Sequence, residues 1–183
     1  MNSLFIGLGG AGTNALGELQ KKFEDYDLVS GTHSLNNYLY VDTDLAIRNK
    51  YPFIDANGDY LQIGAGEVPS HTMDLAFSPN NAGNPDYIRY KEWIDKDNPS
   101  LRANHDFTTG AAGERMLTRM ITWSQYGAIK NQLNNKLTLK NGAPVERIYV
   151  VSGTCGGTGC GCLIDVLYML REIQIQNNMV NNF

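Results

Sequence analysis

Two glycine runs carry the chemistry that this sequence can be read for. The first is Gly7-Leu8-Gly9-Gly10-Ala11-Gly12, followed by Thr13-Asn14. The second is Gly153-Thr154-Cys155-Gly156-Gly157-Thr158-Gly159-Cys160-Gly161. Each lies between a short apolar run and a stretch with helical periodicity, the order strand, turn, helix. Glycines there permit a tight turn and close approach of the backbone to an anion. The first N–H groups of a helix are unpaired and sit at the positive end of its dipole, so the chemistry indicated is phosphate binding. Taken alone, the first run fits G-x-G-x-x-G and has a bland alternative, a strand-to-helix turn that needs only conformational freedom. The second run changes the reading, because five glycines with the hydroxyls of Thr154 and Thr158 exceed what a turn needs. In a parallel sheet both turns fall at the carboxyl edge of the strands, where two helix starts facing one crevice would cradle a di- or triphosphate. No Lys follows either run in the G-x-x-x-x-G-K-[ST] spacing, which disfavours the usual P-loop NTPase classes.

Other candidates are weaker. Cys155, Cys160 and Cys162 fall within eight residues. An odd count is a poor disulfide framework and reads as reduced and cytoplasmic. A zinc site would need a fourth ligand, and His33, His71 and His105 are scattered, unlike the paired spacing of structural zinc sites. The net charge of −4 argues against a nucleic-acid partner held by bulk charge. No apolar run approaches the roughly 18 residues of a membrane span, and Met1 to Ile6 show no signal-peptide pattern.

The elements that must position the glycines follow from periodicity. Strands are expected at Ser3 to Leu8, Asn37 to Val41, Tyr60 to Ile63 and Arg147 to Val151. A helix after the first turn has Ala15, Leu16, Leu19 and Phe23 at helical spacing. A second helical stretch runs from Gly113 to about Lys136, with Met116, Leu117, Met120, Ile121, Ile129 and Leu133 as its stripe. The last helix shows Leu163, Val166, Leu167, Leu170 and Ile173 on one face. Residues 64 to 107 hold four of the six prolines and read as a surface insertion or long loop, with one short helix possible at Asp86 to Ile94; a structureless stretch that long is uncommon in a compact domain, so local structure or function is expected in it. Strands alternating with helices imply an α/β fold, a Rossmann-like three-layer domain with a mainly parallel sheet.

The ordered motifs resemble the nucleotide-binding domain of the tubulin/FtsZ superfamily, and divergent bacterial tubulin-like proteins most in style. Gly153 to Gly161 resembles the tubulin signature loop GGGTGSG, departing at Cys155, which replaces a glycine, and at Cys160, which replaces a small residue. Gly9 to Ala15 resembles the first phosphate loop of FtsZ, and Val41-Asp42-Thr43-Asp44 the Asn-Thr-Asp ending its second strand. Leu61 to Gly64 resembles its third strand, and Thr109 to Arg115 the loop that senses the γ-phosphate. The resemblance covers Ser3 to about Arg171. It implies one domain over residues 1–183 with an insertion at about 65–107. It further implies GTP or GDP with Mg²⁺ as ligand, and self-association head to tail into filaments with GTP hydrolysis at the subunit contact. Implied nucleotide-binding residues are Gly9, Gly10, Ala11, Gly12, Thr13, Asn14, Asp42, Thr43, Asp44, Gly110, Ala111, Ala112, Gly113, Cys155, Gly156, Gly157, Thr158, Gly159 and Cys160. Asn14 would reach toward the base or sugar. No residue is a direct metal ligand, although Asp44 could orient a Mg²⁺-bound water. Asp42 and Asp44 also have a plain alternative as caps of the following helix. The family's ribose contacts, guanine-reading helix and water-activating carboxylates lie beyond the matched motifs. No catalytic residue is therefore assigned, and the chain reads as an incomplete, N-terminal portion of a longer GTPase.

Two other readings stay open. An NAD(P)-binding Rossmann oxidoreductase would use Gly7 to Gly12 and Asp42, but the gap from Gly12 to Asp42 exceeds the usual ~20 residues and the second run is left unexplained. A non-catalytic tubulin-like scaffold module would need no turnover.

Overall fold

The computed structural model describes residues 2–30, 36–56, 58–66, 69–83, 92–99, 107, 110–111, 113–138 and 142–177. Strands β1 (Ser3–Leu8), β2 (Asn36–Asp42), β3 (Tyr60–Gln62) and β4 (Arg147–Ser152) form one sheet in the order β3-β2-β1-β4. Every pairing is parallel. Leu8 lies opposite Val41 on one side and Ser152 on the other, so β1, β2 and β4 end level and the loops that follow them meet.

Alternation along the central strands builds three layers. In β1, Leu4, Ile6 and Leu8 join one core while Phe5 joins the other; in β2, Leu39 and Val41 oppose Tyr38 and Tyr40 in the same way. Helices α1 (Gly9–Ser30), α2 (Ala46–Lys50) and α3 (Phe53–Ala56) cover the aromatic face through Leu16, Ile47, Tyr51 and Ile54. On that face Phe5 stacks between Tyr38 and Tyr149, at centroid distances of 5.6 and 4.9 Å, tying three strands together by one row of rings. Of the helices that follow, α4 spans Pro69–Phe77, α5 Arg115–Ser124, α6 Tyr126–Lys136 and α7 Gly157–Gln176. Those last three cover the aliphatic face with Leu117, Met120, Ile121, Ile129, Leu133, Val166, Met169, Leu170 and Ile173. The α/β, Rossmann-like three-layer expectation holds.

Several local expectations change. The helical stretch from Gly113 divides at Gln125, whose N–H returns to Ile121 O while Ser124 Oγ donates to the same carbonyl. Ala15 is exposed, and the buried face of α1 is instead Gly12, Thr13, Leu16, Gly17 and Gln20. Small residues dominate it because the helix lies tight on its neighbours: a Cβ on Gly17 would stand 2.7 Å from the Tyr51 ring. Leu167 is also exposed; α7 buries Cys162, Asp165, Val166, Met169, Leu170 and Ile173.

The 64–107 segment is more than a surface loop where it is described. It contains α4 and a 3-10 turn at Pro79–Asn81, and it sends Met73, Ile94 and Phe107 into the aliphatic core. Most of the Asp86 to Ile94 helix expectation lies outside the described residues; Glu92 and Trp93 are helical. Phe107 is 1% exposed and sits against Gly64, whose φ is +80°. Phe107→Ala is therefore expected to cost about 3–5 kcal/mol of unfolding free energy in urea titrations, the range of a buried aromatic truncation. A loss under about 1 kcal/mol would return the segment to the surface.

Candidate functional site

The chain leaves β1, runs out through β2 and β3, and returns on the other side of β1 as β4. The boundary between β1 and β4 is thus the topological switch point, the place where open α/β sheets hold ligands. Helix α1 starts at Gly9 directly after β1, and α7 starts at Gly157 after β4 and the Gly153–Gly156 turn. Backbone meets backbone here. A Cβ on Gly9 would lie 2.4 Å from Gly159 N, one on Gly159 would lie 2.6 Å from Leu8 O, and one on Gly12 would lie 2.2 Å from Val151 O. The start of α5 joins the same contact: Gly157 faces Glu114 N at 2.9 Å and Gly161 faces Arg115 O at 2.6 Å, measured from the Cβ each lacks.

This corrects one step of the sequence argument. The glycine excess was assigned to phosphate contact, yet seven of the nine glycines in the two runs are required by close packing of the chain on itself, since an added Cβ would fall under 3.0 Å from another atom. Two are not. Gly10 would place a Cβ no nearer than 3.9 Å to any other atom of that kind, namely Asp42 Oδ2, and around Gly156, at φ −83°, nothing lies within 4 Å. One open glycine therefore stands in each turn.

The polar side chains mostly point inward. Thr13 is fully buried, and its hydroxyl donates to Gly9 O at 2.9 Å and reaches Asp42 Oδ2 at 3.4 Å. Thr43 and Thr158 share a hydroxyl hydrogen bond of 3.0 Å that ties the end of β2 to the start of α7. Asn14 donates to Gly10 O at 2.7 Å and accepts from Lys50 Nζ at 2.7 Å, so its amide braces α1. Asp42 Oδ1 accepts from Thr43 N at 2.8 Å and Asp44 N at 3.4 Å. Asp44 Oδ1 accepts from Ala46 N at 2.8 Å, an Asx turn leading into α2, whose N-cap is Leu45. What Gly9, Gly10, Ala11, Gly12 and Thr13 on one side and Cys155, Gly156, Gly157, Thr158, Gly159 and Cys160 on the other can present is main-chain N–H at two helix starts.

Gly110 and Gly113 take φ of +101° and +81°, which explains glycine at both places, and Ala111 between them is buried. Ala112 lies outside the described residues. Cys155 is exposed, Cys160 half-buried and Cys162 buried; burial pushes the Cys162 thiol up to about 12. Among the described residues, no group of three or more His, Cys, Asp and Glu side chains is placed to hold a metal ion.

Sequence reasoning missed the residues that hold the β2 loop from beneath. Tyr60 donates to Asp44 O at 2.7 Å and Gln62 Nε2 to Thr43 O at 3.3 Å. The alternation of polar groups in the Tyr60-Leu61-Gln62 strand was the available signal. It also passed over Arg115, whose Nη2 donates to Thr154 O at 3.2 Å across the site.

A family model described as tubulin-like matches residues 4–181. The chain belongs to the tubulin-like family. No curated protein matches it. The match spans both glycine turns and the segment between them, which favours the tubulin-like family over the oxidoreductase alternative. Membership points to nucleotide binding in general and to a family that commonly self-assembles. No helix among the described residues is long and apolar enough to cross a membrane.

Asp42 gives the site a measurable signature. Its carboxyl is raised above the usual carboxylate range, chiefly by burial, against the opposing hydrogen bonds from Asp44, Thr43 and Thr13. A folded-state pKa above the unfolded value means that the folded state holds the proton more tightly. The resulting stability is present at low pH and is lost as the pH rises through the folded-state pKa. Asp42→Asn, which removes the charge and keeps the shape, is expected to raise Tm at about pH 7.5, with the gain shrinking toward about pH 4. A gain unchanged across that range would trace to packing instead.

Proposed function

We propose that this tubulin-like domain binds GTP and GDP with Mg²⁺ at the β1/β4 switch point and assembles head to tail into filaments. The observation that supports it most is the pair of open glycines. Gly10 and Gly156 meet no packing demand and have no left-handed φ, yet each sits exposed at a helix start. Leaving out a Cβ at such a point is what close approach of phosphate oxygens to N–H groups needs.

In this reading the N–H groups of Gly10 to Thr13 and of Gly156 to Cys160 take the α- and β-phosphates. The Gly110 to Gly113 loop takes the γ-phosphate. Asp42 and Asp44 stand beside the same edge, and two carboxylates next to a polyphosphate call for a cation between them. Mg²⁺ would supply that charge, held by phosphate oxygens and water in its usual manner, with Asp44 orienting a bound water. The domain spans residues 1–183, with an insertion at about 65–107. Hydrolysis would draw its water-activating group from the adjoining subunit; none is assigned within this chain.

Calorimetric titration of the chain with GTP and Mg²⁺ tests the reading, with NAD as comparator. GTP binding well above NAD is expected, and binding no better than NAD would sink the proposal. Gly156→Ala separates site from fold: stability is expected to change by less than about 1 kcal/mol, as for a helix-cap glycine, while GTP affinity falls about tenfold. Thiol alkylation gives an independent readout. Cys155 is expected to react first and Cys162 only on unfolding, and bound GTP should slow the reaction of Cys155.

A further inference from the structure

We propose that Arg115 is the residue by which the site distinguishes a nucleoside triphosphate from a diphosphate; this rests on the nucleotide-binding reading above. Arg115 is the first residue of α5 and follows directly on the Gly110–Glu114 loop. Side chains on a helix tilt back toward its N-terminus, and the guanidinium reaches across to the second glycine turn, where Nη2 donates to Thr154 O at 3.2 Å. Its backbone is fixed, because Gly161 of α7 packs on the Arg115 carbonyl and Gly157 packs on Gly113 and Glu114. Its side chain is exposed. The guanidinium therefore spans the gap between the loop assigned to the γ-phosphate and the turn assigned to the inner phosphates.

Charge makes the same point. Of residues 9–14, 42–44, 110–115 and 153–161, Arg115 is the one cation, against Asp42, Asp44 and Glu114. Lys50, a cation outside those loops that is tied to the start of α1, is bonded to Asn14 Oδ1 at 2.7 Å and stands 3.9 Å from Glu18. Two helix starts can meet a diphosphate with N–H dipoles alone. A third phosphate adds charge on the α5 side, where Arg115 is the available partner. A guanidinium carries five N–H donors, so one can stay on Thr154 O while others turn to a phosphate oxygen in the paired geometry that Arg favours.

The test compares the chain with Arg115→Ala, Arg115→Gln and Arg115→Lys, titrated with GDP and with a methylene-bridged, non-hydrolysable GTP analogue in the presence of Mg²⁺. Arg115→Ala and Arg115→Gln are expected to weaken the triphosphate analogue about tenfold or more and GDP by less than about twofold, with Arg115→Lys recovering part of the loss. An equal loss for both nucleotides would make Arg115 a structural tether of the Thr154 turn and overturn the inference. Undiminished triphosphate binding would overturn it as well. If the unsubstituted chain binds neither nucleotide, the nucleotide reading itself fails and takes this inference with it. Thermal melts followed by circular dichroism show that each variant is folded; should Arg115→Ala fail to fold, the ratio is read from Arg115→Gln.

Discussion

Everything at this end of the molecule depends on two helix starts touching through bare backbone. Gly9 lies on Gly159 and Gly12 lies under the Val151 carbonyl, with no side chain between them. Any Cβ at these positions would push α1 and α7 apart. The parallel sheet brings the strand ends level, and the missing side chains let the helices begin side by side. That arrangement also places two positive helix ends together, which is unfavourable until something negative lies near them. Asp42, buried beneath Gly10, is the negative group the chain itself provides, and it takes N–H bonds from Thr43 and Asp44. Burial still raises its carboxyl above the ordinary range, so these bonds do not offset its desolvation in full.

The same contact explains why so many polar side chains of the edge serve the fold. The hydroxyl of Thr13 fastens α1 to Asp42 at the end of β2, and those of Thr43 and Thr158 fasten the β2 loop to α7. Asn14 and Asp44 brace the first turns of α1 and the entry to α2. Recognition in such a site falls to main-chain N–H groups, which a sequence displays only as glycine. Among the described residues, Cys155 and Arg115 are exposed at this edge and Cys160 is half-buried.

The strands, their order along the chain and the two turns were legible in the sequence, because β1, β2 and β4 are short apolar runs that end at glycine or Asp. Helix faces were less so. Ala15 and Leu167 fit the expected stripes by spacing and are exposed, since α1 is packed through Gly12 and Gly17 and since α7 leaves Ile164, Leu167, Tyr168 and Ile175 outside. Periodicity counts apolar side chains and is blind to a face made of glycine. The buried part of the 64–107 segment was hard to see for a related reason. Its buried contributors, Met73, Ile94 and Phe107, are single residues scattered among prolines and asparagines, with no period to reveal them. What glycine was doing could not be told from composition either: packing and ligand approach demand the same residue, and only the atoms around each position separate Gly9 and Gly159 from Gly10 and Gly156.

The two halves of the crevice are far apart in the chain: Gly9 and Gly159 are separated by 150 residues. β1, which pairs with both β2 and β4, shares that separation. During synthesis at about 5–20 residues per second, the first turn leaves the ribosome on the order of ten to thirty seconds before its counterpart exists. Through that interval the glycine face of α1 and one edge of the central strand await residues not yet made, as non-local parallel pairing requires. A nascent chain can build the aromatic layer around Phe5, Tyr38 and Tyr40 early. It gains the crevice only once α7 has arrived, so a ligand held there reports on a chain whose β4 and α7 have already been translated and docked.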